Sequence, residues 1–310
     1  MGENFDMKPN RRDFLAQALG LGALLSRPGR LLAQERIPTR TIPVSGEAIP
    51  VIGFGSSKPV LESPTEGTDP IANVIRTLLE HGGSVVDTSP RTEEIDREFG
   101  RVLQDPELRD RLFLTAKINT TNGEQAGIEQ WRQTQRLFGR RTVDLLQVES
   151  LRGVDVHWPN LRAWKDSGEA RYIGVTVSAD RNHGPMESFM RANSPDFVHL
   201  NYSPLETGVE ERLLPLAQDR GMAVLINRPF MNGSFFGRVA GKEFPAWAAD
   251  FDCETWAQLS LKYVLANPAV TCVLTETTNP EHMEENIQAA FGRLPDEPAR
   301  RRIRELLAGF

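Results

Sequence analysis

Three side chains that can take part in proton transfer follow one another along the chain at nearly even spacing. Asp87, Lys117 and Glu149 each end a short apolar run, and 30 and 32 residues separate them. This spacing corresponds to about one strand and one helix, so the three belong to successive units of a repeating βα pattern. An ammonium between two carboxylates forms a polar cluster that can serve acid-base chemistry in a partly dry pocket. The alternative is a structural ion-pair network.

The elements that position these residues are predicted to alternate between strands and helices. Apolar, β-rich runs predict eight strands, at residues 51–55, 85–87, 112–117, 145–149, 172–175, 197–200, 223–226 and 270–274. Amphipathic stretches such as IANVIRTLLEHG lie between them and predict helices. Repeated strand-then-helix order indicates parallel strands joined by right-handed crossovers.

Eight such units predict an α/β fold of the (β/α)8 TIM barrel class. In this fold the chemistry gathers at the carboxyl ends of the strands, so Asp87, Lys117 and Glu149 are expected to meet at one mouth. The stretch TIPVSGEAIP precedes the first strand and predicts an N-terminal β-hairpin around Ser45 and Gly46.

The first 34 residues are unlike the rest of the chain. Arg11 and Arg12 precede an apolar stretch that is too short to span a bilayer as a single helix. This arrangement is typical of a twin-arginine export signal, and the alternative is an amphipathic N-terminal helix. We therefore predict a signal segment at residues 1–34 that contacts the export machinery, and one barrel domain at residues 35–310. The expected location is the periplasm or cell envelope, with no membrane span in the mature chain.

Composition narrows the class of partner. The net charge is −6 and the isoelectric point is near 5.6, which provides no basic surface for nucleic acid and favours a small-molecule substrate or a protein partner. Cys253 and Cys272 are the two cysteines, too few for a disulfide framework or a thiolate metal cluster, and both are predicted to be buried.

From Thr41 to Phe291 the chain carries a series of landmarks in a recognisable order. They are IPVIGFGSS, VVDTSP, FGRVL, LFLTAK, VDLLQV, RYIGVT, VHLNYSPLE, GMAVLINRPF and PEHMEEN. This series resembles the aldo/keto reductase family, (β/α)8 enzymes that reduce aldehydes and ketones with NADP or NAD. The resemblance implies a catalytic Asp, Tyr, Lys and His, in which the Tyr protonates the carbonyl oxygen as hydride arrives from the nicotinamide.

Only half of this catalytic set is present. Asp87 and Lys117 match the Asp and the Lys, whereas Thr92 stands at the Tyr position and Glu149 at the His position. An aliphatic hydroxyl is a far weaker acid than a phenol, so Thr92 is expected to be a poor proton donor. A branch of the same family that reduces steroid carbon-carbon double bonds also carries Glu at this site. Glu149 is therefore expected either to donate a proton or to form a salt bridge with Lys117.

The cofactor positions implied by the resemblance are also altered. Thr176 and His199 stand where the nicotinamide carboxamide is held, and Asn227 and Arg228 stand where an aromatic ring stacks on the nicotinamide. Glu276 is expected to repel the cofactor phosphates. The remaining positions, near the phosphates and the adenine, hold Thr277, His282 and Asn286.

These departures leave the function open between two main hypotheses. The first is an exported oxidoreductase that reduces a carbonyl or an activated alkene through an altered proton-donor site. The second is a barrel that no longer transfers hydride and binds a ligand or a protein partner at the same mouth. Redox-neutral acid-base chemistry by Glu149 and Lys117 is a third reading.

Overall fold

The computed structural model describes residues 36–56, 58–61 and 67–310 of the chain. The predicted signal segment at residues 1–34 lies outside the described residues. Strands β1 (Thr39–Thr41) and β2 (Ala48–Pro50) form an antiparallel hairpin, as predicted.

Eight parallel strands follow and close into a barrel, which confirms the predicted (β/α)8 fold. Strand β3 pairs with both β4 and β10, so the sheet has no free edge. The barrel strands are β3 (Ile52–Gly55), β4 (Val85–Asp87), β5 (Phe113–Ile118), β6 (Val143–Val148), β7 (Ala170–Thr176), β8 (Phe197–Asn201), β9 (Ala223–Asn227) and β10 (Cys272–Thr275).

Helices connect these strands and cover the barrel. In α1, the buried residues Ile71, Val74, Ile75 and Leu78 recur three or four positions apart, which gives the helix one apolar face for the sheet. Within the described ranges, no helix is long and apolar enough to cross a membrane. The helices are α1 (Asp69–Glu80), α2 (Glu93–Leu103), α3 (Pro106–Arg109), α4 (Glu124–Leu137), α5 (Val154–Asp166), α6 (His183–Ala192), α7 (Leu213–Asp219), α8 (Ser234–Val239), α9 (Trp256–Leu265), α10 (Pro280–Gln288) and α11 (Glu297–Ala308).

The amino-terminal end of the barrel is filled by apolar side chains. Ile42 and Ile49, from the hairpin and its turn, are buried in one cluster with inward-facing residues of the strands. Phe113 and Tyr172 stack there with ring centroids 6.1 Å apart, and Phe197 packs edge-on against Tyr172 at 5.5 Å. The hairpin therefore plugs this end of the barrel. Cys272 is buried in the same cluster, and Cys253 is buried elsewhere, as predicted.

Towards the other end, the inward-facing positions become polar. Side chains alternate along a strand, so Thr115 and Lys117 share the inner face of β5, and Gln147 faces inward two residues beyond Leu145 on β6. His199 follows Phe197 in the same way on β8. These buried polar residues form the floor of the mouth.

None of the three tyrosines of the chain is among the described residues that line this mouth. Tyr202 and Tyr263 each donate a hydrogen bond of 2.5 Å to Glu210 Oε1, which also accepts one of 2.6 Å from Arg300 on α11. At the plugged end, the Tyr172 hydroxyl donates to Glu47 and accepts from Ser45. Glu210 thus fastens the C-terminal helix to the barrel.

Candidate functional site

A cavity of about 160 Å³ opens at the carboxyl ends of the barrel strands. Polar side chains form most of its wall, and seven of them come from the predicted site. The polar and charged lining residues are Asp87, Ser89, Lys117, Glu149, Ser150, Thr176, Ser178, His199, Asn227, Arg228, Asn232 and Glu276.

Asp87 and Lys117 form a buried ion pair at the floor of the cavity. Lys117 Nζ donates to Asp87 Oδ2 at 2.5 Å and to the Thr88 carbonyl oxygen at 2.8 Å, and Thr115 Oγ1 donates to Asp87 Oδ1 at 2.5 Å. Burial opposes ionisation of Asp87, but the Lys117 charge and these hydrogen bonds hold its pKa below the ordinary value. Because an ammonium has three N–H donors, one N–H of Lys117 is left for a ligand.

Glu149 lies beyond the strand that was predicted to contain it. It begins a single turn, Glu149–Leu151, after β6 ends at Val148. Its Oε2 is buried without a hydrogen-bond partner among the described residues. The expected salt bridge with Lys117 does not form there, because Lys117 pairs with Asp87 instead.

Thr92 does not line the cavity. Its side chain is exposed at the N-cap of α2, where Oγ1 accepts a hydrogen bond of 3.4 Å from the Ile95 amide. A Thr just before a helix commonly has this capping role. The placement of Thr92 therefore does not favour a part in proton transfer.

His199 is the most deeply buried polar group of the cavity wall. Its side chain is 2% exposed, and neither ring nitrogen has a partner in the described part of the chain. Burial, assisted by the charge on Lys117 and opposed by Asp87, lowers its pKa from 6.5 to about 4. The imidazole is therefore neutral at pH 7, with one nitrogen as a donor and the other as an acceptor.

Gln147, which pairs in register with Lys117, is a buried polar residue next to the site that the sequence analysis missed. It is fully buried, and both polar atoms of its amide lack a partner among the described residues. The signal was available, because Gln147 is the polar residue within the apolar run VDLLQV and lies two positions before Glu149. Period-two alternation places such a residue on the inner face of the barrel.

The predicted carboxamide and stacking positions also meet at the cavity. Thr176 Oγ1 accepts a hydrogen bond of 3.0 Å from the Ser150 amide. Asn227 donates to the Val177 carbonyl at 3.0 Å, and its buried Oδ1 has no partner among the described residues. Arg228 is held by Glu206 through a 2.6 Å ion pair, which raises the pKa of Arg228. The place of the stacking aromatic thus contains a paired guanidinium.

Two loops of this mouth have unusual backbone conformations. Six non-glycine residues in the described ranges have left-handed φ angles, and five belong to these loops: Ser150, Leu151, Arg228, Met231 and Asn232, at 53 to 57°. This conformation is unfavourable for most L-residues and collects at functional sites, where the surrounding structure enforces it. The loops hold Ser150, Arg228 and Asn232 against the cavity.

The predicted phosphate and adenine positions lie at the start of α10. Thr277 Oγ1 accepts from the Asn279 amide at 3.0 Å, and the Asn279 side chain accepts from the Glu281 amide at 2.9 Å. These groups therefore cap the helix. His282 is exposed and Asn286 is 4% exposed.

Comparison with known proteins agrees with this architecture. The sequence profile of the Aldo/keto reductase family matches residues 52–307. An NADH-specific methylglyoxal reductase from Escherichia coli (strain K12) is 25% identical over 165 residues, 45% of this chain and 49% of that protein. The matched region thus spans about half the length of this relative.

Two solved structures show the same fold. The aldo-keto reductase AKR11C1 from Bacillus halodurans aligns with a TM-score of 0.68 and 18% identity, over 87% of this chain and 96% of its own. An aldo/keto reductase from Klebsiella pneumoniae, in complex with NADP and acetate, aligns with a TM-score of 0.69 and 19% identity, over 84% and 93%.

Proposed function

Because the chain belongs to the aldo/keto reductase family, we propose that it is an oxidoreductase that reduces a carbonyl group or an activated alkene through an altered proton-donor site. The observation that carries this proposal is the buried Asp87–Lys117 ion pair at the floor of the cavity, next to the unpartnered imidazole of His199. NADH or NADPH, when bound, supplies the hydride.

The cavity fits the carboxamide end of such a cofactor. A carboxamide offers two N–H donors and one acceptor oxygen. Asn227 Oδ1 is a buried acceptor without a partner in the described chain, and the hydroxyls of Thr176 and Ser178 lie on the same wall. At the phosphate end, Glu276 and Glu281 are exposed carboxylates. Their charge disfavours the additional phosphate of NADPH, so we expect tighter binding of NADH.

Lys117 is the proton donor in this proposal. An ammonium and a phenol have similar acidities in water, with pKa values of about 10.4 and about 10. Asp87 and the Thr88 carbonyl engage two of the Lys117 N–H groups, and the third can donate to the substrate oxygen. The neutral His199 N–H is a second donor for the same oxygen, because a buried polar donor stabilises the negative charge that develops there.

A second candidate function follows from the Arg228–Glu206 ion pair. This pair stands where the resemblance places a stacking aromatic, and Glu276 adds a carboxylate to the same wall. Both features weaken the case for a dinucleotide and favour a barrel that binds another ligand without hydride transfer.

Calorimetric titration of the full chain with NADH and NADPH decides between the two candidates. The reductase proposal expects micromolar binding of NADH, and the absence of binding by both cofactors refutes it. If a cofactor binds, Lys117→Arg tests the proton donor, because a guanidinium keeps the charge but is a much weaker acid. This variant should lose turnover by about a hundredfold or more and retain cofactor affinity. Unchanged turnover would exclude Lys117 as the donor.

Export remains a proposal that rests on the sequence of residues 1–34. Replacing Arg11 and Arg12 with Lys should leave the protein in the cytoplasm of its native host. Continued export of this variant, measured by cell fractionation, would contradict the twin-arginine assignment.

A further inference from the structure

The cavity contains buried hydrogen-bond acceptors that have no partner among the described residues. Of its two cationic side chains, Arg228 is engaged by Glu206, and Lys117 gives two of its three N–H groups to Asp87 and Thr88. One Lys117 N–H is therefore left, and acceptors are left over as well. Glu149 Oε2 and Asn227 Oδ1 are buried without a partner among the described residues. A ligand that completes these groups must therefore bring N–H or O–H donors.

The charge of the cavity wall indicates whether the ligand is cationic or neutral. Asp87, Glu149 and Glu276 are the carboxylates of the wall. Asp87 is matched by Lys117, whereas Glu149 and Glu276 form no ion pair within the part of the chain that the structure describes. Arg91 lies near both of them, but the buried Asp96 faces its guanidinium at 4.0 Å. The mouth therefore has an excess of negative charge.

His199 independently indicates that this wall receives a ligand. A side chain that is 2% exposed, and whose two nitrogens have no partner within the described ranges, is costly to bury, and such groups in native proteins are normally satisfied. The acceptor nitrogen of this neutral imidazole requires an N–H or O–H donor, as Glu149 and Asn227 do.

We propose that the mouth binds an organic ammonium group between Glu149 and Glu276, with His199 on the cavity wall beside it. An ammonium has three donors, which suit Glu149, Asn227 and the acceptor nitrogen of His199. The third N–H of Lys117 and the donor nitrogen of His199 suit an acceptor oxygen elsewhere on the same ligand. The described residues contain no cluster of three or more His, Cys, Asp or Glu that could hold a metal ion. The identity of the substrate rests on the proposed function: if the chain is a reductase, the substrate is a carbonyl compound that carries an amine.

The rim next to the cavity accommodates an apolar group on the same ligand. A second cavity of about 200 Å³ shares Arg228, Asn232 and Glu276 with the first, and Phe230, Phe236 and Lys58 also line it. Phe236 is 44% exposed, which is high for a phenylalanine. An arylalkyl amine can place its ammonium near Glu276 and its ring against these two side chains.

The test is calorimetric titration of the full chain at pH 7 with benzylamine, which is protonated at this pH. Benzyl alcohol is the neutral probe of the same shape, and benzoate is the anionic one. We expect benzylamine to bind at least about tenfold more tightly than benzyl alcohol, and benzoate to bind most weakly. Equal binding of the three probes, tighter binding of benzoate, or no binding of benzylamine at 10 mM overturns the proposal.

Substitutions of the two carboxylates test where the ammonium group binds. Glu149→Gln and Glu276→Gln should each weaken benzylamine binding by about tenfold and leave benzyl alcohol nearly unchanged. Glu281→Gln is the matched control, because Glu281 is exposed on α10 and does not line the cavity. An equal effect of Glu281→Gln would mean that only the overall charge matters, which refutes the site.

The outcome is separable from that of the proposed function. Binding of NADH without binding of benzylamine retains the reductase and rejects the ammonium site. Binding of benzylamine without binding of either cofactor retains the ammonium site and rejects the reductase.

Discussion

The burial of His199 predicts that folding stability depends on this residue under mildly acidic conditions. Its pKa falls from 6.5 to about 4 on folding, so the unfolded chain binds more protons than the folded chain between these two pH values. The stability that comes from keeping His199 neutral is therefore fully present above pH 6.5. It is lost progressively as the pH falls from 6.5 towards 4.

The size of the effect follows from the same two values. A shift of this size corresponds to about 3 kcal/mol in total, of which about 2 kcal/mol is lost between pH 7 and pH 5. His199→Gln removes the titrating group and retains a polar side chain. Between pH 7 and pH 5 the unfolding free energy of both proteins falls. We expect this fall to be about 2 kcal/mol smaller in the variant than in the wild type.

Urea unfolding at pH 7 and pH 5 measures this difference. Other titrating groups contribute equally to both proteins, so the comparison isolates His199. His282→Gln is the matched control, because His282 is exposed and its variant should follow the wild type. If His199→Gln and the wild type lose stability equally, within about 0.5 kcal/mol, His199 is not a buried neutral imidazole and the reasoning is refuted.

Two further predictions concern buried polar contacts. Asp87→Asn leaves the Lys117 ammonium buried without its carboxylate and should cost about 3 kcal/mol or more in urea unfolding. The double variant Asp87→Asn with Lys117→Met should cost clearly less than the sum of the single variants, and simple additivity would show that the pair is not coupled. Glu210→Ala removes the shared acceptor of Tyr202, Tyr263 and Arg300 and should lower the unfolding free energy by about 2 kcal/mol or more, measured by urea unfolding. Glu297→Ala, at a more exposed partner of Arg300, is the control and should have less than half of that effect.

The barrel could be predicted from the sequence because local signals repeat along the chain. Apolar runs and helical stretches of similar length fix the order of strands, and this order places Asp87 and Lys117 at the same mouth. The partner of Lys117 could not be predicted in this way. β6 ends before Glu149, and the turn that follows contains the left-handed residue Ser150. Whether Lys117 pairs with Asp87 or with Glu149 depends on this local geometry.

Two other features of the site show different limits of sequence reasoning. The capping role of Thr92 was readable, because Thr followed by acidic residues at the start of a helical pattern is a common N-cap signal. The Arg228–Glu206 ion pair could not be predicted from the sequence. Its members lie in loops after different strands, and nothing in the spacing of 22 residues indicates that they meet.

The hairpin plug also determines how molecules travel to the polar interior. Ile42 and Ile49 seal the amino-terminal end beneath the aromatic layer, so the barrel resembles a cup that is open at one end. A molecule that contacts His199 must arrive and depart through the same opening. If the proposed reduction takes place there, its product must leave before the next substrate binds, and an inert molecule bound at the rim blocks both entry and exit.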